Sequence, residues 1–165
     1  MKSKTINWRN VAENMWGRGG TTAYKTNRKG AYYYSCSGHG GYIVPLSSLT
    51  EQEIAAIESS GLVKQDSQPV LMGPDGVCYG VDYGYNATYC SGRTRKFYCK
   101  PGSQWQDVKF YAFEEDCDWA VLETLTSVRV VKGSTMNEQD RLEHARKTVE
   151  RLKEWRDRRE AGGAQ

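Results

Sequence analysis

In the stretch Ala31-Tyr32-Tyr33-Tyr34-Ser35-Cys36-Ser37-Gly38-His39-Gly40-Gly41-Tyr42-Ile43-Val44, two runs of aromatic and β-branched residues flank a histidine set among glycines. Such residues fit a pleated, half-buried surface, so 31–36 and 42–44 read as strands. Glycine costs about 0.5–1 kcal/mol inside a regular element, so Gly38, Gly40 and Gly41 beside the His39 imidazole mean a backbone that turns sharply or that something approaches closely. Upstream, 19–26 reads as a further strand, joined to the first through the turn residues Asn27-Arg28-Lys29-Gly30. Three strands connected by tight turns make an antiparallel sheet, with the histidine at a strand-to-strand junction.

Helical patterns surround that sheet. Asn7 caps a short helix whose Trp8, Val11, Ala12 and Met15 share a face and which Gly17 stops. Thr50 and Glu53 form a capping box, Leu49 and Ile54 sit at staple positions, Ile54, Ala55 and Ile57 face inward, and Gly61 ends the helix. Val70-Leu71-Met72 and Val77-Cys78-Tyr79 flank the turn Gly73-Pro74-Asp75-Gly76 and read as a hairpin. Residues 79–100, rich in Tyr, Gly, Asn, Ser and Thr without a sustained period, read as an extended insertion, with a hairpin as one form of it. A strand over 108–113 leads into a helix opened by Asp116 or Cys117 that buries Trp119, Leu122 and Leu125, with a further short strand over 127–131. Thr135 and Glu138 form a second capping box, opening a helix to about Arg159 with Leu142, Ala145, Val149 and Leu152 as a narrow seam. Its other positions are charged, so this helix is expected to project and to lie against one partner surface. The fold class is α+β: a small, mostly antiparallel sheet with packed helices and a protruding C-terminal amphipathic helix. Residues 1–132 form a single domain, with 1–17 as its N-terminal helix, and 133–165 are the charged helix and a frayed tail.

The chain has 165 residues, 38% of them hydrophobic, enough for one core. Its net charge of +3 conceals alternation: +6 over 1–30, −5 over 31–92, +4 over 93–109, −5 over 110–125 and +3 over the remainder. Patches of both signs argue against a wholesale DNA mimic and against a dedicated nucleic-acid binder. No apolar run reaches the roughly 18–20 residues of a membrane span, and no apolar stretch follows the N-terminal lysines, so the expected location is the cytosol of a host bacterium, with no membrane. Five cysteines, an odd number, are expected as reduced thiols.

A second stretch, Phe113-Glu114-Glu115-Asp116-Cys117-Asp118-Trp119, places four acids around a cysteine and a tryptophan. Such carboxylates repel one another unless a cation, a helix N-terminus or a partner balances them. Together the Gly38-His39-Gly40-Gly41 loop and this segment resemble an uncharacterised family of small domains from bacteriophages, plasmids and other mobile elements. In that family a glycine-flanked histidine after a strand is followed by an acidic segment with cysteine and tryptophan that opens a helix. The resemblance covers roughly residues 30–125, lends no catalytic residues, and implies a mobile-element setting in which small proteins often act on host defence systems.

Four chemical readings stand beside their bland alternatives. Cys36-x-x-His39 with Cys117 and the nearby acids has the ligand types of half a zinc site, but Cys90 and Cys99 are nine apart and Cys78 stands alone, so no metal and no cofactor is assigned. The alternative is buried small hydrophobes. A cysteine–histidine hydrolase or transferase would take Cys36 or Cys117 as nucleophile, His39 as base and Asp116 or Asp118 as orienting acid, with the N–H groups of Gly40 and Gly41 as an oxyanion hole; the alternative is a His39 ring hydrogen-bonded by the acids to lock a loop. A phosphate cradle lacks the Lys-Ser/Thr and the helix it requires. A binding module would use Tyr83, Tyr85, Arg93, Arg95 and Lys96, residue types enriched at interfaces and able to make weak nucleic-acid contacts. In it Glu114, Glu115, Asp116 and Asp118 would pair with a basic groove, while Gly38, His39, Gly40, Gly41 and Trp119 form the structural motif. The favoured expectation is an anti-CRISPR-like counter-defence inhibitor. It would bind a host defence protein or ribonucleoprotein, with the C-terminal helix docking or forming a homodimer.

Overall fold

A computed structural model of the protein describes residues 6–17, 19–65, 71–72, 78–79, 94–98, 107–131 and 137–162. The elements run α1 (Trp8–Trp16), β1 (Thr22–Lys25), β2 (Tyr32–Ser35), β3 (Gly40–Pro45), α2 (Glu51–Ser59), β4 (Val63–Gln65), β5 (Leu71–Met72), β6 (Cys78–Tyr79), β7 (Thr94–Tyr98), β8 (Lys109–Glu114), α3 (Trp119–Leu125) and α4 (Glu138–Gly162). Among the described residues, β1-β2-β3-β8-β7-β4 form one sheet in that spatial order, and β5 pairs with β6 in a separate hairpin. All neighbours in the main sheet are antiparallel except β4 and β7, which run parallel. The class is α+β, as expected, and the hairpin falls where the turn chemistry put it, although the turn residues 73–76 lie outside the described residues.

Strand alternation explains the layering. Tyr42, Val44, Tyr111 and Phe113 join a core with Ile57, Leu62, Val121, Leu122, Val149 and Leu152. Ile43, Phe110 and Ala112 join a second core with Val11, Ala12, Met15, Trp16 and Tyr34. The period of two thus sends alternate side chains of β3 and β8 to opposite faces, one covered by α1 and the other by α2, α3 and α4. Both strands are buried almost throughout, as strands covered on both faces are.

Local capping signals are fulfilled closely. Asn7 accepts from the Asn10 N–H at the start of α1, and Gly17, at φ 111°, ends it. Thr50 and Glu53 complete the reciprocal capping box of α2, and Gly61 follows the helix at φ 70°. On α2 only Ile57 is fully buried; Ile54 is half-buried and Ala55 exposed, so the inward face is narrower than the apolar residues implied.

The structure refines the expectations element by element. Residues 94–98, read as part of an extended insertion, are extended and belong to the main sheet as the strand β7, hydrogen-bonded between β8 and β4; a non-local pairing leaves no mark on a Tyr/Gly-rich sequence. Residues 127–131 make an isolated bridge, Thr26 with Val130, in place of a full strand. Thr135 lies outside the described residues, and the cap of α4 comes from Asn137, whose Oδ1 accepts from the Asp140 N–H at 2.9 Å. The α4 seam does form, with Ala145, Val149 and Leu152 buried beside Thr148. It packs into the chain's own core, so the surface assigned to a docking partner or a second copy is already covered. The Arg156 Nη1 donates to the Ser60 carbonyl at 3.0 Å, and from Asp157 onward the helix is exposed.

Candidate functional site

The hairpin between β2 and β3 turns at Cys36-Ser37-Gly38-His39, closed by the Cys36 N–H donating to the His39 carbonyl at 2.9 Å. The N–H groups of Gly38 and His39 both donate to the Trp16 carbonyl, tying this hairpin to the end of α1. Next to it, β8 ends at Glu114, paired with Gly41, and the Glu115 N–H donates to the Gly40 carbonyl at 2.9 Å. The glycine loop and the acidic segment therefore lie side by side, fixed by backbone bonds.

The close approach is what requires the glycines. A Cβ on Gly41, at φ +152°, would collide with the Phe113 carbonyl oxygen and stand 2.9 Å from the Glu114 Cα. One on Gly40 would stand 2.5 Å from the Tyr34 carbonyl and 2.9 Å from Glu115 Oε2. Both positions belong to β3, pressed between β2 and β8, and only Gly38 lies in the turn itself.

This juxtaposition brings His39 to the acids. Its Nδ1 lies 3.5 Å from Glu114 Oε1 and 3.8 Å from Glu115 Oε1. Glu114 is 8% exposed. Its Oε2 accepts from the Asp116 N–H at 2.9 Å, while Oε1 is buried with no hydrogen-bond partner among the described residues. Burial pushes the Glu114 carboxyl up to about 8; the Asp116 N–H pulls the other way, and the charges of Asp116, Asp118 and Glu115 add to the rise. Glu115 is partly exposed, and the Tyr33 hydroxyl donates to its Oε2 at 3.4 Å. Burial, followed by the Glu115 charge, pushes that hydroxyl up to about 12.

The remaining candidate residues are distributed otherwise. Cys36 packs against the core under α1, with Sγ 3.8 Å from the Thr21 hydroxyl, and burial pushes its thiol up, away from the thiolate a nucleophile needs. Cys117 packs against the opposite core. The two cysteines sit on the two sides of the sheet. Asp116 is exposed and Asp118 is the N-cap residue of α3. The turns over 115–118 delay that helix, which starts at Trp119, later than Asp116 or Cys117. It fully buries Ala120, Val121, Leu122 and Glu123, leaving Trp119 and Leu125 partly buried. Arg95 and Lys96 are positions of β7, opposite Ala112 and Tyr111. Tyr83, Tyr85 and Arg93 lie outside the described residues.

A polar cluster that no motif announced lies behind the site. Glu123 is 1% exposed and accepts from the Tyr42 hydroxyl (2.5 Å) and from Arg141 Nη2 (2.7 Å) at Oε1, and from Arg141 Nε (2.6 Å) at Oε2. Arg129 Nη2 donates to the Glu123 carbonyl. The Arg141 guanidinium stands 5.0 Å over the Trp119 ring, which also stacks with His144 at 5.6 Å. Trp119 is thus an anchor for the buried ion pair that clamps β3, α3 and α4 together. The only sequence signal for it is one acid set directly after Leu122 in a short apolar helix.

No protein-family model matches the chain, and neither the comparison with curated proteins nor that with solved structures gives a match.

Proposed function

We propose that the chain is a counter-defence protein of a phage or other mobile element that acts by binding, in the manner of an anti-CRISPR inhibitor. The observation that carries this reading is the acidic turn after β8. Asp116 is exposed and Glu115 partly so, beside half-buried Tyr33 and exposed Tyr24, whose ring meets Tyr33 edge-on at 6.2 Å. Acids next to tyrosines on a turn pinned by backbone bonds offer a pre-organised face to a basic groove on a host protein or ribonucleoprotein. Buried Glu114 takes no part in that face. The mobile-element setting follows from the resemblance of the glycine loop and the acidic segment. The enzyme alternative draws less support, since Cys36 and Cys117 pack on opposite sides of the sheet and the Cys36 thiol is pushed away from reactivity. No helix among the described residues is long and apolar enough to cross a membrane.

The test is protection of a targeted plasmid in cells carrying an active CRISPR system. Charge reversal at exposed Asp116 (D116K), which is outside the His39–Glu114–Glu115 group, is expected to reduce protection at least tenfold while the circular dichroism spectrum is retained. Replacement of both thiols by serine (C36S/C117S) is expected to leave protection intact. Loss in the thiol variant with retention in the charge-reversed one would overturn the binding reading.

A further inference from the structure

His39, Glu114 and Glu115 form the one group among the described residues in which three metal-ligating side chains converge, with one ligand atom from each within 4.8 Å of the others. The separations of 3.5 Å and 3.8 Å from Nδ1 to the two carboxylate oxygens are too long for hydrogen bonds. They are close to the edge of roughly 3.4 Å that a tetrahedron has when its ligands stand about 2.1 Å from a central ion. A second observation is independent of the cluster's composition. Among the described residues the Glu114 Oε1 is buried without a hydrogen-bond partner, on a residue 8% exposed, and it is turned to the imidazole while Oε2 is held by the Asp116 N–H. A carboxylate oxygen removed from water and left without a donor is costly, and a cation removes that cost.

We propose that His39 Nδ1, Glu114 Oε1 and Glu115 Oε1 bind a divalent first-row transition cation of the zinc class. One imidazole and two carboxylates suit Zn²⁺, whereas Mg²⁺ and Ca²⁺ prefer all-oxygen cages and Cu⁺ prefers sulfur. The Asp116 N–H on Glu114 and the Tyr33 hydroxyl on Glu115 orient the two carboxylates from behind, the role that outer partners play at metal centres. The backbone bonds of the hairpin to Trp16 and of Glu115 to Gly40 hold the three ligands in place. Three protein ligands leave a coordination position open on the partly exposed side of His39 and Glu115, where water or a donor from another molecule completes the ion. This site differs in every thiol from the cysteine-based zinc pattern weighed on the sequence.

The experiment is calorimetric titration of the untagged, chelator-treated chain with ZnCl2 alone, with metal content read after dialysis and a cobalt-loaded sample read by absorption. Expected are one equivalent of zinc per chain, a raised melting temperature, and a cobalt spectrum without a thiolate charge-transfer band. Glu115→Gln, on a partly exposed side chain and able to keep its Tyr33 contact, is expected to fold and to weaken zinc binding at least tenfold; His39→Asn is expected to do the same. No uptake at micromolar zinc overturns the proposal. So does uptake unchanged in Glu115→Gln and His39→Asn, or a thiolate band that disappears in Cys36→Ser or Cys117→Ser.

Discussion

Two buried glutamates, Glu123 and Glu114, solve the same problem in opposite ways. Glu123 sits inside the core under α3 and α4 with both oxygens occupied by a forked arginine and a tyrosine hydroxyl. Glu114 sits at the end of β8 with one oxygen held by a backbone N–H and the other, 3.5 Å from a histidine nitrogen, without a hydrogen bond among the described residues. A satisfied buried charge locks a fold; a buried carboxyl left short of donors costs stability when it ionises and is retained where something else is to fill it. The first is accordingly a structural clamp and the second a site.

The comparison is broken most directly at the clamp. Glu123→Ala removes the buried carboxylate that half-buried Arg141 and the Tyr42 hydroxyl both donate to, so the expected loss is about 2–3 kcal/mol in urea denaturation. Replacing the whole group with apolar residues (Y42F/E123L/R141M) is expected to recover most of that loss, because the cost lies in the orphaned charge and not in the missing pair. A loss under about 1 kcal/mol for Glu123→Ala would mean that the pair does not hold α4 to the sheet.

At Glu114 the sign reverses. With its folded carboxyl raised from 4.5 to about 8, the folded chain keeps a proton that the unfolded chain has released everywhere between those values. Stability from this group is whole below about pH 4.5 and falls as pH rises toward 8, by at most roughly 1.4 kcal/mol per pH unit. Glu114→Gln removes that slope. In chelator the variant and the parent are expected to coincide near pH 4.5 and to diverge upward in pH, the variant becoming the more stable. Added zinc is expected to invert the order at pH 7.5 by stabilising the parent alone. Parallel pH profiles in chelator would put Glu114 in the same class as Glu123.

The sequence carries the parts of this contrast that are local. The Thr50–Glu53 box, the Asn7 cap and the Gly17 and Gly61 stops act within a few residues, and each is found where it was read. The glycines around His39 were readable as a turn or a close approach, and the structure uses both, Gly38 for the hairpin and Gly40 and Gly41 for contact with β2 and β8. What brings Glu114 to His39 is a strand pairing across about seventy positions, so the site was visible as two motifs and not as three ligands. The clamp was less visible still: Arg141 lies on a helix whose charges all read as solvated, and nothing local separates it from Arg146 or Arg151. Likewise β7 owes its place to β8 and β4, against the composition around it.

The smallest effect is expected at the contact between Tyr33 and Glu115. Tyr33 reaches Glu115 through a long bond of 3.4 Å on a partly exposed carboxylate, while its ring packs edge-on against Tyr42 at 5.1 Å. Tyr33→Phe keeps the ring and deletes the bond, and since a solvated carboxylate recovers water in exchange, the expected loss is below about 1 kcal/mol. Zinc affinity is expected to fall by less than tenfold, because the hydroxyl orients a ligand without being one. A loss near that of Glu123→Ala would show Glu115 to be fastened as firmly as Glu123. The acidic turn would then be a second lock, with no carboxylate free to swing onto an ion.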